Sequence, residues 1–353
     1  RLGNMAVEEQ TILPQFVSSS VQIVRNILLY VLYVIKLYVI GAIALICQLL
    51  EKSAPVRGLP SQSSRTAIVT GGACGIGFHI SKQLASLGAT VVIACRHKAE
   101  ADDAIAKIKE DCHNANVVFM QLDLASFKSV RDFAAKFLST KWPLHILINN
   151  AGIMLAPFEE TEDGFEQHLQ VNHLSHALLT SLLQKKMESS APEGGAARVI
   201  NVSSVVHHVA SFDPKTFEEK QPHDWSYSPH NAYAASKLAI LLYTYALSRR
   251  LVEDGSKVTV NAVHPGIVNT ALYHNVHWSI SCVMDILKEL FFMSPEQAGL
   301  SVVHVATSPD LEGTNGCYFS NCQKVGSSTS SKLPSLQEDV YTKTCQMVGK
   351  KSN

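Results

Sequence analysis

The feature that most constrains the fold is an alternation of short apolar runs with longer amphipathic ones, which begins near Arg65. The apolar runs are four to six residues long and rich in Val and Ile, as is typical of strands. Continuous apolar strands are buried on both faces, which is the property of a parallel sheet covered by helices. The alternation therefore predicts an α/β fold with a doubly wound parallel sheet and helices on both of its faces.

Six strands and the helices between them can be assigned from this pattern. The predicted strands are residues 66–70, 90–94, 117–121, 146–149, 198–203 and 258–263. Two of the predicted helices are 75–87 and 127–138. We assign this domain to residues 65–322, followed by a C-terminal tail, 323–353, whose Ser-rich run predicts loose order before a short final helix.

The stretch 27–50 has a different composition, because Lys36 is its only charged residue. Its length matches the roughly 20 residues that cross a bilayer as a helix. Lys36 opposes insertion by about 2.5–3.5 kcal/mol, which the many Ile, Leu and Val residues outweigh. We predict a membrane helix between an N-terminal segment, 1–26, and a Pro-, Gly- and Ser-rich linker, 51–64. A helix that lies flat on the bilayer, with Lys36 snorkelling to water, stays open.

Charge excludes one class of partner and suggests an orientation. The chain has 30 basic and 30 acidic residues, so no net charge attracts nucleic acid, which we do not expect as a partner. Lys52, Arg57 and Arg65 follow the apolar segment, whereas Arg1 and Arg25 precede it. This bias favours a cytosolic position for the main domain.

The first predicted strand ends in the sequence "TGGACGIG", residues 70–77. Gly71 permits a tight turn, Gly75 lets the backbone approach a phosphate, and Gly77 allows close packing of helix on strand. The following helix directs its positive end at the same place. A glycine cluster between a strand and a helix predicts a Rossmann-type dinucleotide site.

The end of the second strand indicates which dinucleotide binds. A carboxylate at this point would bind the ribose 2′-hydroxyl of NAD, but Cys95 and Arg96 occupy it instead. Arg96 can pair with a 2′-phosphate, so NADP(H) is favoured. NAD(H) stays open, because Ala73 and Cys74 give the glycine loop no second basic residue.

Tyr233 and Lys237 are four residues apart in a predicted helix and therefore share one face. A phenol has an ordinary pKa of about 10, which is too high for an efficient base near neutral pH. A neighbouring ammonium favours the phenolate and lowers that pKa. The pair fits a catalytic acid with its charge partner, but taken alone it favours a chance pair in a solvated first turn.

Seven motifs in a fixed order carry a resemblance to the short-chain dehydrogenase/reductase family. They are "TGGACGIG", "LDL" at 122–124, "NNAG" at 149–152, "VNH" around Asn172, "NVSS" at 201–204, the Tyr233/Lys237 pair and "HPGIVNT" at 264–270. The resemblance covers about residues 65–322. The stretches "IACR", "INNAGIM", "RVINVSSVVHH" and "YAASKLA" are similar to the membrane-bound, retinol-dehydrogenase-like group. Finer features resemble its members that act on long isoprenoid alcohols.

This resemblance implies an enzyme that transfers a hydride between NAD(P)(H) and a hydrophobic alcohol or aldehyde. A long isoprenoid of polyprenol or dolichol type is the implied substrate. A retinoid or a steroid is an alternative, as is a catalytically silent protein that senses the cofactor. The implied location is the membrane of the endoplasmic reticulum or a lipid droplet. A homo-oligomer stays open.

The resemblance also implies a role for individual residues. Tyr233 would exchange the proton, Lys237 would lower the pKa of Tyr233 and bind the nicotinamide ribose, and Ser204 would hold the substrate oxygen. Asn172 would hold a water that links Lys237 to solvent, unless it only bonds its own helix backbone. The implied cofactor contacts are Gly71, Gly75, Ile76, Gly77, Arg96, Asp123, Leu124, Asn150, Ala151, Gly152, Tyr233, Lys237, Pro265, Gly266, Val268 and Thr270. Asp123 could instead only cap the following helix.

Two further features bear on metal binding and on the substrate site. His207, His208 and His264 have no supporting cysteines at ligand spacing, so we predict no metal site. The segment 273–293 has a wide apolar surface. In the family this segment forms a lid over the substrate, whereas by composition it equally fits core packing.

Overall fold

The computed structural model describes Val24, Arg25, Leu28 and residues 30–48, 58–210, 227–268 and 292–349. Within these ranges one sheet has eight strands in the order β3-β2-β1-β4-β5-β6-β7-β8, and all of them are parallel except β8. The strands are β1 Thr66–Thr70, β2 Thr90–Cys95, β3 Val117–Gln121, β4 Ile146–Asn149, β5 Ala197–Val202, β6 Val258–His264, β7 Tyr318–Ser320 and β8 Gln323–Lys324. The predicted doubly wound sheet is confirmed.

Helices cover both faces of this sheet. The described α-helices are α1 Tyr30–Gln48, which belongs to neither hydrophobic core, and α2 Gly75–Ser86, α3 Lys98–Asp111, α4 Phe127–Ser139, α5 Gln167–Leu169, α6 Ser175–Ser190, α7 Pro229–Glu253, α8 Pro295–Thr307 and α9 Pro334–Met347. One hydrophobic core joins the sheet to α4, α6, α7 and α9, and the other joins it to α2, α3 and α8. The strands are apolar on both sides because each side faces one of these cores.

Helix α7 carries Tyr233 and Lys237, and its start is fixed by local sequence. The Ser228 side chain accepts a hydrogen bond from the Asn231 N–H, and Pro229 occupies the first helical turn. A proline there costs nothing, since its missing N–H has no partner in the helix. Fifteen of the 25 residues of α7 are buried, so the helix runs through the core rather than over the surface.

The Ser-rich run near the C-terminus is ordered, and the expectation of loose order was wrong. Ser327, Ser328 and Ser331 are buried, and the Ser331 hydroxyl donates to Ser327 Oγ at 2.8 Å. Tyr245 of α7 donates its hydroxyl to the same Ser327 oxygen at 2.8 Å. Composition suggested disorder, but serine hydroxyls that find partners inside the protein can be buried at little cost.

Helix α1 lies within the predicted membrane helix, 27–50. Its mean hydropathy is 2.2, and among the described helices it is the one that is long and apolar enough to cross a membrane. Its exposed side chains include Val31, Leu32, Ile35, Val39 and Ile43. The N-terminal segment up to 23 and the first half of the predicted linker, 51–57, lie outside the described residues, and the domain boundaries stay a prediction.

Candidate active site

The glycine turn lies at the carboxyl end of β1, where α2 begins. Gly71 has a φ of +64°, which glycine adopts without strain. A Cβ on Gly77 would lie 2.1 Å from the Gly71 carbonyl oxygen, so only glycine fits there. Cys74 precedes α2 without a side-chain cap, and the first turn has no acidic residue. The first N–H groups of α2 are therefore suited to bind an anion.

The end of β4 is bonded to this turn through Thr70. The Thr70 hydroxyl oxygen accepts from the N–H groups of Asn150, at 2.9 Å, and Ala151, at 3.0 Å. The Asn150 side-chain amide donates to the Thr70 carbonyl oxygen at 3.0 Å. These bonds hold the predicted cofactor residues at the ends of β1 and β4 as one rigid surface. Thr70 was not among the predicted site residues.

His176 continues this connection into the next helix. Its Nε2 lies 2.9 Å from the Thr70 hydroxyl oxygen, and its Nδ1 lies 3.0 Å from the Asn172 carbonyl oxygen. Burial lowers the pKa of His176 to about 4, so the ring is neutral. The sequence analysis missed this residue, although its position one turn after Asn172 could have suggested it.

Asn172 lies in a short π-helix, Gln170–Leu174, between α5 and α6. Its Oδ1 accepts from the Ile153 N–H at 2.8 Å, and its Nδ2 donates to the Ile153 carbonyl oxygen at 3.1 Å and to Ser236 Oγ at 2.9 Å. The side chain therefore joins the β4 loop to α7. The alternative that it bonds its own helix backbone was wrong. Single π-helical turns are frequent at functional sites.

Tyr233 and Lys237 are 7% and 4% exposed, so the alternative of a solvated pair was wrong. The Lys237 Nζ lies 5.7 Å from the centroid of the Tyr233 ring and donates to the Val202 carbonyl oxygen at 3.0 Å. Desolvation lowers the pKa of Lys237 to about 8. A buried charge interacts strongly with its neighbours, because the local dielectric constant is lower than that of water.

Gly152 brings the β4 loop to these side chains. A Cβ on Gly152 would lie 3.1 Å from Asn172 Oδ1 and 3.5 Å from Lys237 Nζ. The backbone of Gly152, the amide of Asn172 and the ammonium of Lys237 therefore surround one point. A larger side chain in place of this glycine would crowd that point.

The two serines at the end of β5 have different surroundings. The buried Ser203 donates to the Lys237 carbonyl oxygen at 3.0 Å. Ser204 is half-buried and accepts only a long bond, 3.4 Å, from the Val206 N–H. The Ser204 carbonyl oxygen lies 2.6 Å from His207 Nδ1, and His207 Nε2 accepts from the Ser328 N–H at 3.1 Å. Ser204 therefore has the more accessible hydroxyl.

Sequence and structural comparisons identify the family. The profile of the short chain dehydrogenase family matches residues 65–214 and 225–279. Human polyprenol dehydrogenase is 41% identical over 89% of this chain and 95% of its own. Human retinol dehydrogenase 12 is 40% identical over 81% of this chain and 86% of its own. The chain belongs to the short-chain dehydrogenase/reductase family. It is an oxidoreductase that acts on alcohol donors.

A solved structure also resembles this member of the family. It is an uncharacterized protein from Mycobacterium Paratuberculosis, 29% identical, with a TM-score of 0.67 over 85% of this chain and 99% of that chain. Short-chain dehydrogenases/reductases bind NAD or NADP, and the glycine turn fits such a group. The tight turn at Gly71, its close packing on Gly77 and the uncapped start of α2 are what a pyrophosphate requires.

The ends of β2 and β3 carry the residues that are predicted to bind the adenosine end of the cofactor. Desolvation and Glu100 raise the pKa of the Cys74 thiol, whereas the charge of Arg96 lowers it. Arg96 therefore lies near the glycine turn, and Glu100, which the sequence analysis missed, is a second charge there.

Asp123 accepts from the Ala125 N–H at 2.9 Å, and Ser126 caps α4. The alternative that Asp123 caps this helix was wrong.

The loop after β6 carries residues that are predicted to cover the nicotinamide. Gly266 has a φ of +102°, and Val268 forms a parallel bridge with Met293. Thr270 and residues 273–291 of the predicted lid lie outside the described residues. The Ile267 N–H donates to Oε1 of Gln48, a contact that the sequence analysis did not foresee.

Of the three histidines near Ser204, His207 and His264 are buried and His208 is exposed. Desolvation lowers the pKa of His207 to about 3 and that of His264 to about 4, so both are neutral at physiological pH. Among the residues that the structure describes, no group of three His, Cys, Asp or Glu side chains could hold a metal ion.

Proposed function

We propose that this short-chain dehydrogenase/reductase is membrane-associated and transfers a hydride between NADP(H) and a long-chain isoprenoid alcohol or aldehyde. The observation that carries the reaction is the buried Tyr233–Lys237 pair beside Asn172 and the β5 end. The substrate class rests on the similarity to polyprenol dehydrogenase along almost the whole chain. Retinoids are the second candidate, because retinol dehydrogenase 12 is almost as similar.

In the proposed mechanism Tyr233 is the acid–base group. When bound, the nicotinamide cofactor supplies the acceptor or donor of the hydride. The phenolic oxygen of Tyr233 takes the proton of the alcohol O–H, or returns it to the aldehyde oxygen. The ammonium of Lys237 stabilises the phenolate, and its burial makes that effect stronger than it would be in water.

Ser204 and Asn172 have supporting roles in this proposal. The Ser204 hydroxyl would donate to the substrate oxygen, since its own acceptor bond leaves the hydrogen available. Asn172 would hold a water beside Lys237 for proton exchange with solvent. The absence of a side chain on Gly152 supports this role, because it leaves room between Asn172 Oδ1 and Lys237 Nζ.

The proposed cofactor-binding residues form groups, each of which would contact a different part of the dinucleotide. Gly71, Gly75, Ile76 and Gly77 would bind the pyrophosphate, and Arg96 the 2′-phosphate. Asp123 and Leu124 would contact the adenine side, and Asn150, Ala151 and Gly152 the ribose. Pro265, Gly266, Val268 and Thr270 would cover the nicotinamide. Lys237 would bind its ribose.

Membrane association is proposed from α1. Its apolar and largely exposed surface would be stabilised by lipid. An isoprenoid alcohol of great length is negligibly soluble in water, so an enzyme at the bilayer meets it more often than one in solution. We assign the anchored enzyme to the endoplasmic reticulum or lipid droplets, with its catalytic domain in the cytosol.

The proposal is tested by assaying the full chain in lipid vesicles with NADP⁺ and NAD⁺. The substrates to compare are a polyprenol, dolichol, retinol and a steroid alcohol, with formation of the reduced cofactor as the readout. We expect the largest kcat/KM for an isoprenoid alcohol. A preference for retinol would make a retinoid, rather than an isoprenoid, the substrate class. A protein that binds cofactor but oxidises none of the four alcohols would be a cofactor sensor.

Replacing Arg96 with Asp should shift the cofactor preference from NADP(H) to NAD(H). A carboxylate there, added to Glu100, would repel the 2′-phosphate and accept from a ribose hydroxyl. Losing one charge-assisted hydrogen bond corresponds to about 1–3 kcal/mol, or roughly tenfold to a hundredfold in the ratio of the two kcat/KM values.

Lys98→Asp is the matched control, because it makes the same charge change two residues away. Lys98 pairs with Asp102 at 2.5 Å on the exposed side of α3. This variant should keep the wild-type preference. Equal ratios for wild type and the Arg96 variant would show that Arg96 does not contact the phosphate.

A further inference from the structure

Gln48, at the end of α1, binds the backbone of the loop that follows β6. Its Oε1 accepts from the Ile267 N–H at 2.8 Å, and its Nε2 donates to the Ile267 carbonyl oxygen at 3.3 Å. One side chain thus satisfies both polar backbone groups of a residue 219 positions away. A neighbouring strand would satisfy them in the same way.

The loop is closely packed around this contact. Gly266 has a φ of +102°, and a Cβ there would lie 3.0 Å from Gln48 Oε1 and 3.1 Å from Met293 Sδ. On its other side the loop is bonded to Met293, whose N–H donates to the Ile267 carbonyl oxygen at 2.9 Å. The loop is therefore held between Met293 and the end of α1.

Helix α1 has one partly shielded side. Its half-buried residues recur at helical spacing, and they include Tyr33, Leu37, Ile40, Ala44 and Gln48. The Tyr33 hydroxyl oxygen is fully buried. The residues between them, such as Ile35, Val39 and Ile46, are more than half exposed and apolar. One side of α1 therefore faces the protein, and the other suits lipid.

We propose that Gln48 is a positioning residue, through which α1 holds the loop 265–268 in the conformation that binds the nicotinamide half of the cofactor. The inference rests on the proposed cofactor role of this loop. A helix seated in a bilayer presents Gln48 to Ile267 at a fixed place, so membrane attachment and cofactor affinity are coupled. A helix that only located the enzyme would need no such contact.

The test compares Gln48→Ala and Gln48→Met with wild type, each as the full chain in lipid vesicles. Met keeps the length and volume of the side chain but loses both hydrogen bonds, which separates bonding from packing. Two lost bonds between uncharged groups correspond to roughly a fivefold to 150-fold weakening. We expect NADPH titrated into vesicles, with its fluorescence as the readout, to bind both variants more weakly by this factor. The KM for NADPH should rise more than kcat falls.

Two further measurements distinguish a loss of loop positioning from a loss of overall stability. Amide hydrogen exchange should accelerate in the loop 265–268 and stay unchanged in β1 and α2, and the thermal midpoint should not move. Ile46→Ala is the control, because Ile46 is 55% exposed on the same helix and lies two residues from Gln48. This variant should bind NADPH as wild type does.

Unchanged NADPH affinity and loop exchange in both Gln48 variants would overturn the inference, whatever the turnover. Loss of affinity with uniformly faster exchange would overturn it as well, because the defect would then be one of stability. The proposed function fails separately. A wild-type chain without turnover on any alcohol would overturn the activity, while the binding and exchange data would still decide the role of Gln48.

Discussion

Replacing Tyr233 with Phe is expected to lower kcat by about 10²–10⁴-fold, the range that a positioned acid–base group contributes. The ring fills the same buried space on α7, so folding and cofactor binding should be preserved. Only the hydroxyl is lost, which exchanges the proton in the proposed mechanism. The measurement is kcat with the best alcohol in vesicles, together with the Kd for NADPH.

Tyr243→Phe is the matched control for this variant. Tyr243 is a buried tyrosine on the same helix, and its ring stacks on Tyr341 rather than facing Lys237. Loss of its hydroxyl should leave kcat within about twofold of wild type, since it takes no part in proton transfer. A Tyr233→Phe protein that keeps more than a tenth of wild-type turnover would contradict the proposed mechanism.

Replacing Gly77 with Ala should weaken cofactor binding strongly. The new Cβ would lie 2.1 Å from the Gly71 carbonyl oxygen and 2.7 Å from the Asn150 side-chain nitrogen. Neither atom belongs to a flexible surface chain, so the glycine turn must move away from α2. Overpacking of this kind costs about 1–3 kcal/mol or more, and we expect the Kd for NADPH to rise by roughly tenfold to a hundredfold or beyond.

Gly326→Ala separates this steric effect from the general effect of replacing a glycine. A Cβ on Gly326 would approach only the Lys332 Nζ, at 3.7 Å, which is ordinary contact distance. This variant should bind NADPH normally. Wild-type affinity in the Gly77 variant would mean that the turn can relax and that the site does not depend on its tight packing.

The sequence was sufficient to predict those elements of the fold that a local pattern of residues specifies. Strands such as β1 and β4 matched their predicted bounds, because a buried parallel strand needs an unbroken apolar run. β7 and β8 were missed, since they are three and two residues long and lack such a run. The buried serines near Ser331 were misjudged for a related reason: composition does not show which hydroxyls find partners.

In the candidate site, too, residues with a local sequence pattern were predicted and residues with distant partners were missed. Tyr233, Lys237 and the glycines could be found because their chemistry depends on spacing within one helix or one turn. Thr70, His176 and Gln48 were missed, because each makes a contact with a segment distant in sequence: Thr70 and Gln48 with backbone groups, and His176 with the Thr70 hydroxyl. Nothing in the sequence around Gln48 indicates that it will meet Ile267. Such partners become visible only when the chain is folded.

The contact between Gln48 and Ile267 has a consequence for the biogenesis of the enzyme. The two residues are 219 positions apart, which at about 5–20 residues per second separates their synthesis by roughly 10–40 s. Throughout that interval the loop that Gln48 contacts has not been made, and in the proposed membrane-associated enzyme the bilayer would shelter the apolar surface of α1. Insertion would then precede completion of the proposed nicotinamide half of the site, and we expect nascent chains to become membrane-bound before they acquire cofactor.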